Sequence, residues 1–146
     1  FLSVCICVKI FGEMAYLHLI FGILLFIVFA VTGRFMRWDF PDKEIIPQDL
    51  RILMRSRHIY ILFSALIHLV LGVYLQISRK TWRKVLQIIG STLLIVASGL
   101  LIWGFIYDTY YAKTFSDIAR FGIYFSLAGV GFHLIGGFLM QKPARQ

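Results

Sequence analysis

The sequence predicts an all-α fold, an integral membrane bundle of four helices in up-down-up-down order, from its hydropathy, its charge-free runs and its short connectors. Hydrophobic residues make up 60% of the 146 residues, and the mean hydropathy is +0.82. Soluble domains are usually about 45–50% apolar. The excess is gathered in four runs without Asp, Glu, Lys or Arg, which are residues 14–33, 58–78, 85–107 and 121–141. Each run is long enough to cross a hydrocarbon layer of roughly 30 Å as a helix.

Helices are the only regular structure that these four runs favour. An open sheet edge leaves backbone groups unsatisfied in lipid, and the runs lack the alternation that is typical of barrel strands. Short connectors between consecutive spans favour neighbouring antiparallel helices. Residues 1–146 are therefore interpreted as one membrane domain, without room for a separate soluble domain.

The first span, residues 14–33, follows a segment whose place in the mature protein the sequence leaves open. Residues 1–13 do not resemble a signal peptide, because no clear cleavage site separates them from the span. Cys5 and Cys7 lie in this segment. We interpret them as small apolar residues, since a metal site needs more ligands than two.

The connectors hold most of the charged residues. The longest, residues 34–57, contains two prolines, and its part after Pro47 is predicted to form a short helix on the membrane surface. The second connector, residues 79–84, is short and carries only basic charges. The third, residues 108–120, is polar and aromatic, and we interpret its Asp108 and Asp117 as solvated.

The charge of the chain points to lipid headgroups and not to nucleic acid. Lys and Arg number 15 against 7 for Asp and Glu, and they flank the predicted spans. We call side A the side with both termini and residues 79–84; it carries seven cations, and side B carries eight. The positive-inside rule counts Lys and Arg, so this balance does not decide the orientation. The dense charge of residues 79–84 favours a cytoplasmic side A, in a bacterial inner membrane.

Three histidines fall inside the predicted spans, all in the half of the membrane next to side A. At about 1.5 Å per residue, His68 lies about 15 Å, His133 about 12 Å and His18 about 6 Å from the side-A end of its span. Ionisable residues inside spans are costly and rare, so each is a candidate functional residue. His58 sits beside Arg57 at side B and is interpreted as a solvated interfacial residue.

Small residues share a helical face with each of these histidines. They let helices approach closely, and beside an imidazole they also leave a slot for a flat group. The faces are His18 and Gly22; Ser64, His68 and Gly72; and Gly122, Ser126, Gly129, His133, Gly136 and Gly137. Span three has no histidine, and its mildly polar face is predicted to point into the bundle: Gln87, Gly90, Ser91, Leu94, Ser98, Leu101, Phe105 and Asp108.

Two imidazoles at matched depth on different helices are what a six-coordinate b-type haem needs. We therefore predict that His68 and His133 ligate the iron of haem b between spans two and four. The expected role is electron transfer with a quinone or a partner subunit. The propionates would point to side A and meet Arg79, Lys80 or Arg83. In span count and buried histidine pair the chain resembles four-helix membrane b-type cytochromes, and the resemblance is architectural only.

Other interpretations stay open. His18 is predicted to support a ligand, to ligate in an alternative pair, or to belong to a quinone site. A copper or other metal site would draw on Met14 and the two cysteines. A transporter would use the histidines as a relay, although no acidic residue lies deep in a span. A non-catalytic anchor or assembly subunit would use them for packing alone, as a homodimer or with other membrane subunits.

Overall fold

The computed structural model describes residues 2–38, 46–76, 78, 80–110 and 117–138, with side chains between Glu13 and Gly137 apart from Tyr110. These residues form four α-helices and no strand: α1 Leu2–Trp38, α2 Gln48–Tyr74, α3 Thr81–Tyr110 and α4 Asp117–His133. A π-helical turn, Leu134–Phe138, continues α4. The predicted all-α fold of four helices is confirmed.

All four helices contain a segment that is long and apolar enough to cross a membrane. These segments are Glu13–Trp38, Gln48–Tyr74, Thr81–Thr109 and Asp117–Gly137. Only 17% to 39% of the apolar window in each is buried inside the protein, so most of the apolar side chains point outward. An outward apolar surface of this extent is suited to lipid.

The helices extend into the regions that the charge pattern assigns to connectors. Residues after Pro47 belong to α2 itself, which begins at Gln48 and runs without a break into the second span. Helix α2 ends at Tyr74, and Leu75 is extended. The buried side chain of Gln87 then holds the next connector, because its Oε1 accepts from the Ser78 backbone N–H at 2.9 Å and its Nε2 donates to the Gln76 carbonyl at 3.1 Å.

Consecutive helices run antiparallel, as contacts at the two ends of each interface show. The contacts are His18–His68 and Thr32–His58 between α1 and α2, Ser64–Ser98 and Arg57–Asp108 between α2 and α3, and Gly90–His133 and Gly104–Ala119 between α3 and α4. Helix α1 packs along α2, and α3 packs along α4. We call these pairs hairpin one and hairpin two; they meet mainly through α2 and α3, along an interface that we call the seam.

Glycines bring the two helices of each hairpin into close contact. A Cβ atom on Gly22 would lie 2.8 Å from the Leu69 backbone N, and one on Gly72 would lie 2.7 Å from the Leu19 Cα. These gaps leave no room for even a methyl group. Gly90, Gly122 and Gly129 have the same role between α3 and α4.

The inward face predicted for the third span is buried along its whole length. It runs through α3 from the side-A end to the side-B end, and each of its larger side chains is at most 3% exposed: Gln87, Ser91, Leu94, Ser98, Leu101, Phe105 and Asp108. The polar side chains of this face contact polar groups of the other helices, and the candidate site lies at these contacts.

Candidate functional site: a buried histidine–serine network

The three histidines of the predicted spans lie together in the interior. His18 and His68 are fully buried and His133 is 8% exposed. The ring centroid of His18 is 4.9 Å from that of His68 and 6.0 Å from that of His133. The sequence predicts that His68 pairs best with His133. In the structure the ring of His18 lies between them and contacts both.

A continuous series of hydrogen bonds joins these rings to serines of α2 and α3. Nδ1 of His18 lies 2.7 Å from Nδ1 of His68, and Nε2 of His18 lies 2.8 Å from Oγ of Ser91. The same Ser91 oxygen lies 3.2 Å from Nε2 of His133. At the other end, Oγ of Ser98 is 3.1 Å from Nε2 of His68 and 2.6 Å from Oγ of Ser64. We call these six residues the histidine–serine network.

The direction of every bond in the network follows from one serine. Ser98 donates its hydroxyl hydrogen to the Leu94 carbonyl at 2.8 Å, so its oxygen accepts from both Ser64 and His68. With its hydrogen on Nε2, a neutral His68 accepts at Nδ1. His18 therefore donates from Nδ1 to His68 and accepts at Nε2.

The remaining bonds complete the same pattern. Ser91 donates its hydrogen to Nε2 of His18 and accepts from Nε2 of His133. A neutral His133 then carries a bare lone pair on Nδ1, and this buried atom has no hydrogen-bond partner among the described residues. With all three imidazoles neutral, five of their six nitrogens take part in these bonds, and Nδ1 of His133 is the one without a partner in the described part of the chain.

The network crosses the seam between the hairpins. His18 and His68 belong to hairpin one, and Ser91 and His133 to hairpin two. The bonds from His18 to Ser91 and from His68 to Ser98 are thus contacts between hairpins. Glycines close each hairpin internally, so the seam is where polar bonds hold the two halves together.

The donor atoms of this network suit a haem, but the space between them does not. Nδ1 of His133 has a free lone pair, whereas His68 would have to give up its bond to His18 or to Ser98. Gly90 lies directly against the His133 ring, since its Cβ would be 3.0 Å from Cδ2. The slot predicted beside the imidazoles is filled by neighbouring side chains and helices. A flat macrocycle would therefore fit only after the seam opened.

The basic residues predicted to meet propionates are only partly described. Arg79 lies outside the described residues, and Lys80 is exposed. Arg83 is half-buried at the side-A end of α3, with its guanidinium 5.3 Å from the ring centroid of Trp82. A Cβ on Gly136 would lie 3.2 Å from the Arg83 carbonyl oxygen, so Arg83 adjoins the turn that follows His133.

That turn departs from regular helix geometry. The π-helical residues Leu134–Phe138 begin directly after His133. Such turns occur frequently at functional sites, because they change the direction of the side chains that follow. Its Gly136 packs against the side chain of Gln87, which sequence reasoning placed on the inward face without assigning it a partner.

The side-B half contains a buried ion pair where a solvated carboxylate was expected. Nε of Arg57 donates to Oδ2 of Asp108 at 2.5 Å, and both side chains are 1% exposed. The interpretation of Asp108 as solvated is wrong, because the inward face of α3 carries it against α2. Asp117 is exposed as expected and pairs with Arg120 at 3.0 Å.

His58 is likewise not a freely solvated residue. Its ring stacks on Phe29 with centroids 4.0 Å apart, and its Nδ1 lies 3.0 Å from Oγ1 of Thr32. Gly33 gives the ring clearance, since a Cβ there would lie 3.1 Å from Cε1 of His58. His58 joins α1 to α2 and stays half-buried.

An apolar layer separates the network from the ion pair. Ile61, Leu101 and Phe105 are buried between the two polar groups. About 10 Å of helix lies between Ser64 and Arg57 at the normal rise per residue. Within the described part of the chain, the polar groups therefore do not form a continuous path from one side to the other.

A metal-ion site of protein ligands alone is not formed among the described residues. No group of three or more His, Cys, Asp or Glu there is placed to hold an ion. The three histidines approach each other, but their nitrogens point to one another and to serines instead of to a common point. The side chains of Cys5 and Cys7 lie outside the described residues.

The chain was compared with known proteins at the level of family, sequence and structure. No family model, no curated protein and no solved structure matches it.

Proposed function

We propose that the chain is an integral membrane protein of four spans and that its histidine–serine network is the site of a b-type haem. One observation supports the proposal most directly: three buried imidazoles from three helices lie together, with the ring centroids of His68 and His133 at 4.9 Å and 6.0 Å from that of His18. Ionisable side chains inside spans are functional candidates by default, because burying them in lipid is costly. The lone pair on Nδ1 of His133, which has no partner among the described residues, supports a ligand here.

In this proposal His68 of hairpin one and His133 of hairpin two would hold the iron through imidazole nitrogens. With iron on Nε2, a neutral His68 would carry its hydrogen on Nδ1, and Nδ1 of His18 would accept from it, the reverse of the direction assigned above. Arg83, with Arg79 and Lys80, would neutralise propionates at side A. When bound, the haem supplies one-electron transfer, and a quinone or a partner subunit is the exchange partner.

Haem binding in this form requires the seam to open, and the distribution of contacts supports the seam as the place that moves. Inside each hairpin, glycine backbones lie against neighbouring helices and cannot separate without losing close packing. In the side-A half of the seam, the network supplies a small number of hydrogen bonds, each worth about 1 kcal/mol. The buried ion pair of Arg57 and Asp108 also joins the hairpins, but at the side-B end, so the proposal requires opening of the side-A half alone. Opening there would free imidazole nitrogens that now take part in those bonds for a ligand.

The experiment is a visible spectrum of the protein expressed with full haem supply and purified in detergent. We expect oxidised and reduced spectra of a low-spin haem in the wild type. His68→Ala and His133→Ala should each abolish them. His58→Ala is the matched control, because it removes a histidine of the same bundle that lies outside the network, and it should keep the spectrum.

Two results would contradict the proposal. A colourless wild-type protein after full haem supply would exclude haem b. Loss of colour in His18→Ala together with normal spectra in His68→Ala would move the axial ligand to His18.

A second candidate function is a membrane anchor or assembly subunit without a cofactor. It is favoured by the saturation of the network, in which five of six imidazole nitrogens already have a partner within the bundle. Satisfied polar networks fix the mutual position of membrane helices. The same purification separates the candidates, because an anchor would be colourless and would co-purify with other membrane subunits or with a second copy.

The proposal places the protein in a membrane. We expect this membrane to be the bacterial inner membrane, with side A facing the cytoplasm. In a background with Cys5→Ser and Cys7→Ser, the variants Lys80→Cys and Asp117→Cys each carry one cysteine at an exposed position and test the orientation in intact cells. A membrane-impermeant thiol reagent should label only the cysteine at position 117. Labelling at position 80 alone would reverse the orientation.

A further inference from the structure

A cavity of about 250 Å³ opens between the side-B ends of α1 and α2. Three arginines line it: Arg37 from the last turn of α1, and Arg51 and Arg55 from the start of α2. The rest of the lining is small or apolar and comprises Gly33, Met36, Ile46 and Met54. The cavity is thus lined by three positively charged side chains and by small or apolar residues.

None of the three arginines forms an ion pair with a described residue, although Asp49 lies in the first turn of α2. The two ion pairs formed among the described residues involve Arg57 and Arg120 instead. Nε of Arg51 is buried and has no hydrogen-bond partner in the described part of the chain. Arg51 and Arg55 lie four residues apart on one helix, a spacing at which like charges repel. A bound anion would relieve this repulsion and satisfy the buried Nε.

The cavity lies where the helices leave the hydrocarbon layer. Trp38 is exposed beside Arg37, and the guanidinium of Arg34 lies 3.9 Å from its ring centroid. Exposed tryptophans at span ends mark the headgroup level. The N-terminus of α2 at Pro47 has no side-chain cap, so the positive end of its dipole adds to the arginine charge.

We propose that this cavity binds the phosphate of an anionic phospholipid headgroup, with the guanidinium forks on the phosphate and the glycerol backbone against Met36 and Met54. Arginine binds phosphate oxygens with paired, charge-assisted hydrogen bonds. The apolar part of the lining favours a lipid over a free phosphate ion, because a phosphate ion has no apolar group to place against it. The site relies on the membrane insertion proposed above and is independent of haem.

The test is native mass spectrometry of the full chain in detergent, titrated with phosphatidylglycerol, phosphatidylcholine or inorganic phosphate. We expect the wild type to bind phosphatidylglycerol at least tenfold more tightly than phosphatidylcholine. Each arginine near an anionic headgroup contributes about 1 kcal/mol, so Arg51→Gln should weaken binding about fivefold. The triple variant Arg37→Gln, Arg51→Gln, Arg55→Gln should weaken it about a hundredfold.

The matched control is the triple variant Lys9→Gln, Lys84→Gln, Arg120→Gln, which removes the same charge at positions outside the lining of the cavity. It should bind phosphatidylglycerol like the wild type. Equal losses in the two triple variants would overturn the site, because they would show attraction by net charge alone. Binding of inorganic phosphate as tight as that of the lipid would overturn the lipid assignment.

Two further measurements keep this result separate from the others. Circular dichroism checks that each variant stays helical, and Arg51→Gln alone tests the site if the triple variant does not fold. Visible spectra are recorded on the same samples. Colourless protein that still selects phosphatidylglycerol would contradict the haem site and support the lipid site, and coloured protein without lipid selectivity would do the reverse.

Discussion

Nδ1 of His18 lies 2.7 Å from Nδ1 of His68, with both rings fully buried, so a single hydrogen is shared between two imidazoles of different helices. If both nitrogens carried a hydrogen, two donors would face each other. The bonds to Ser91 and Ser98 fix which ring donates, and the network accommodates three neutral histidines. The contact joins the two helices of hairpin one at the level where hairpin two meets them.

His18 should contribute more to stability than His133, because it has two bonds in the network and His133 has one. His18→Ala leaves Nδ1 of His68 and the hydroxyl hydrogen of Ser91 without a partner, although His68 keeps its bond to Ser98 and Ser91 keeps its bond to His133. Each unsatisfied buried group costs about 1–3 kcal/mol. We expect the free energy of unfolding, measured by denaturant titration in detergent, to fall more than in His133→Ala. The same side chain is deleted in both variants, so equal losses would contradict the assigned bonds.

Gly72→Ala should destabilise hairpin one, whereas Gly99→Ala should not. A Cβ at position 72 would lie 2.7 Å from backbone atoms of Leu19, which cannot move aside without shifting α1. Overpacking of this kind costs about 1–3 kcal/mol. Nothing lies within 4 Å of a Cβ at position 99, where alanine improves helix propensity by up to about 1 kcal/mol. Thermal unfolding in detergent checks the pair, and similar midpoints would contradict the close contact.

The ion pair between Arg57 and Asp108 gives a third prediction. Removing one partner of a buried pair costs about 3–5 kcal/mol, because the other charge stays buried without compensation. Asp108→Asn should therefore lower the free energy of unfolding by several kcal/mol, and Asp108→Leu combined with Arg57→Leu should recover much of the loss. Asp117→Asn breaks the exposed pair with Arg120 and should cost no more than about 1 kcal/mol. A loss in Asp108→Asn no larger than in Asp117→Asn would show that Asp108 is solvated after all.

A disulfide across the seam should prevent haem uptake. The Oγ atoms of Ser64 and Ser98 are 2.6 Å apart, which places their Cβ atoms near the separation that a disulfide needs. In a background with Cys5→Ser and Cys7→Ser, the variant Ser64→Cys, Ser98→Cys should take up haem when reduced and fail when oxidised. Absorbance during haem titration is the readout, and Ser64→Cys alone is the control. Full uptake by the oxidised form would show that the seam need not open.

Hydropathy and helical periodicity predict the helices and the inward face of α3. Charge-free runs identify spans because the cost of charge in lipid is large, and side chains recurring every three or four residues share a face whatever the neighbours are. The level of the histidines follows from counting residues. These predictions depend only on local geometry, and Gln87, Ser91, Ser98 and Asp108 are buried as the periodicity requires.

Which faces meet cannot be read from one helix at a time. His18 was expected beside the main pair, but its contacts depend on the rotation of α1 against α2. Asp108 shows the same limit, since its position next to a polar connector suggested solvent while its helical face pointed inward. The inward face of α3, which continues from Phe105 to Asp108, was the feature that could have indicated burial. The partner Arg57 lies 51 positions away along the chain, so no local pattern indicates the pair. The glycines were correctly expected to bring helices together, and neighbouring helices fill the clearance that a cofactor would need.

The apolar layer of Ile61, Leu101 and Phe105 has an electrical consequence. Ionisable groups lie above and below it, and among the described residues these apolar side chains interrupt any chain of exchangeable protons between them. Liposomes that contain the protein should therefore hold an imposed proton gradient as long as protein-free liposomes do. The bundle can bury three imidazoles and an ion pair and still act as an insulator.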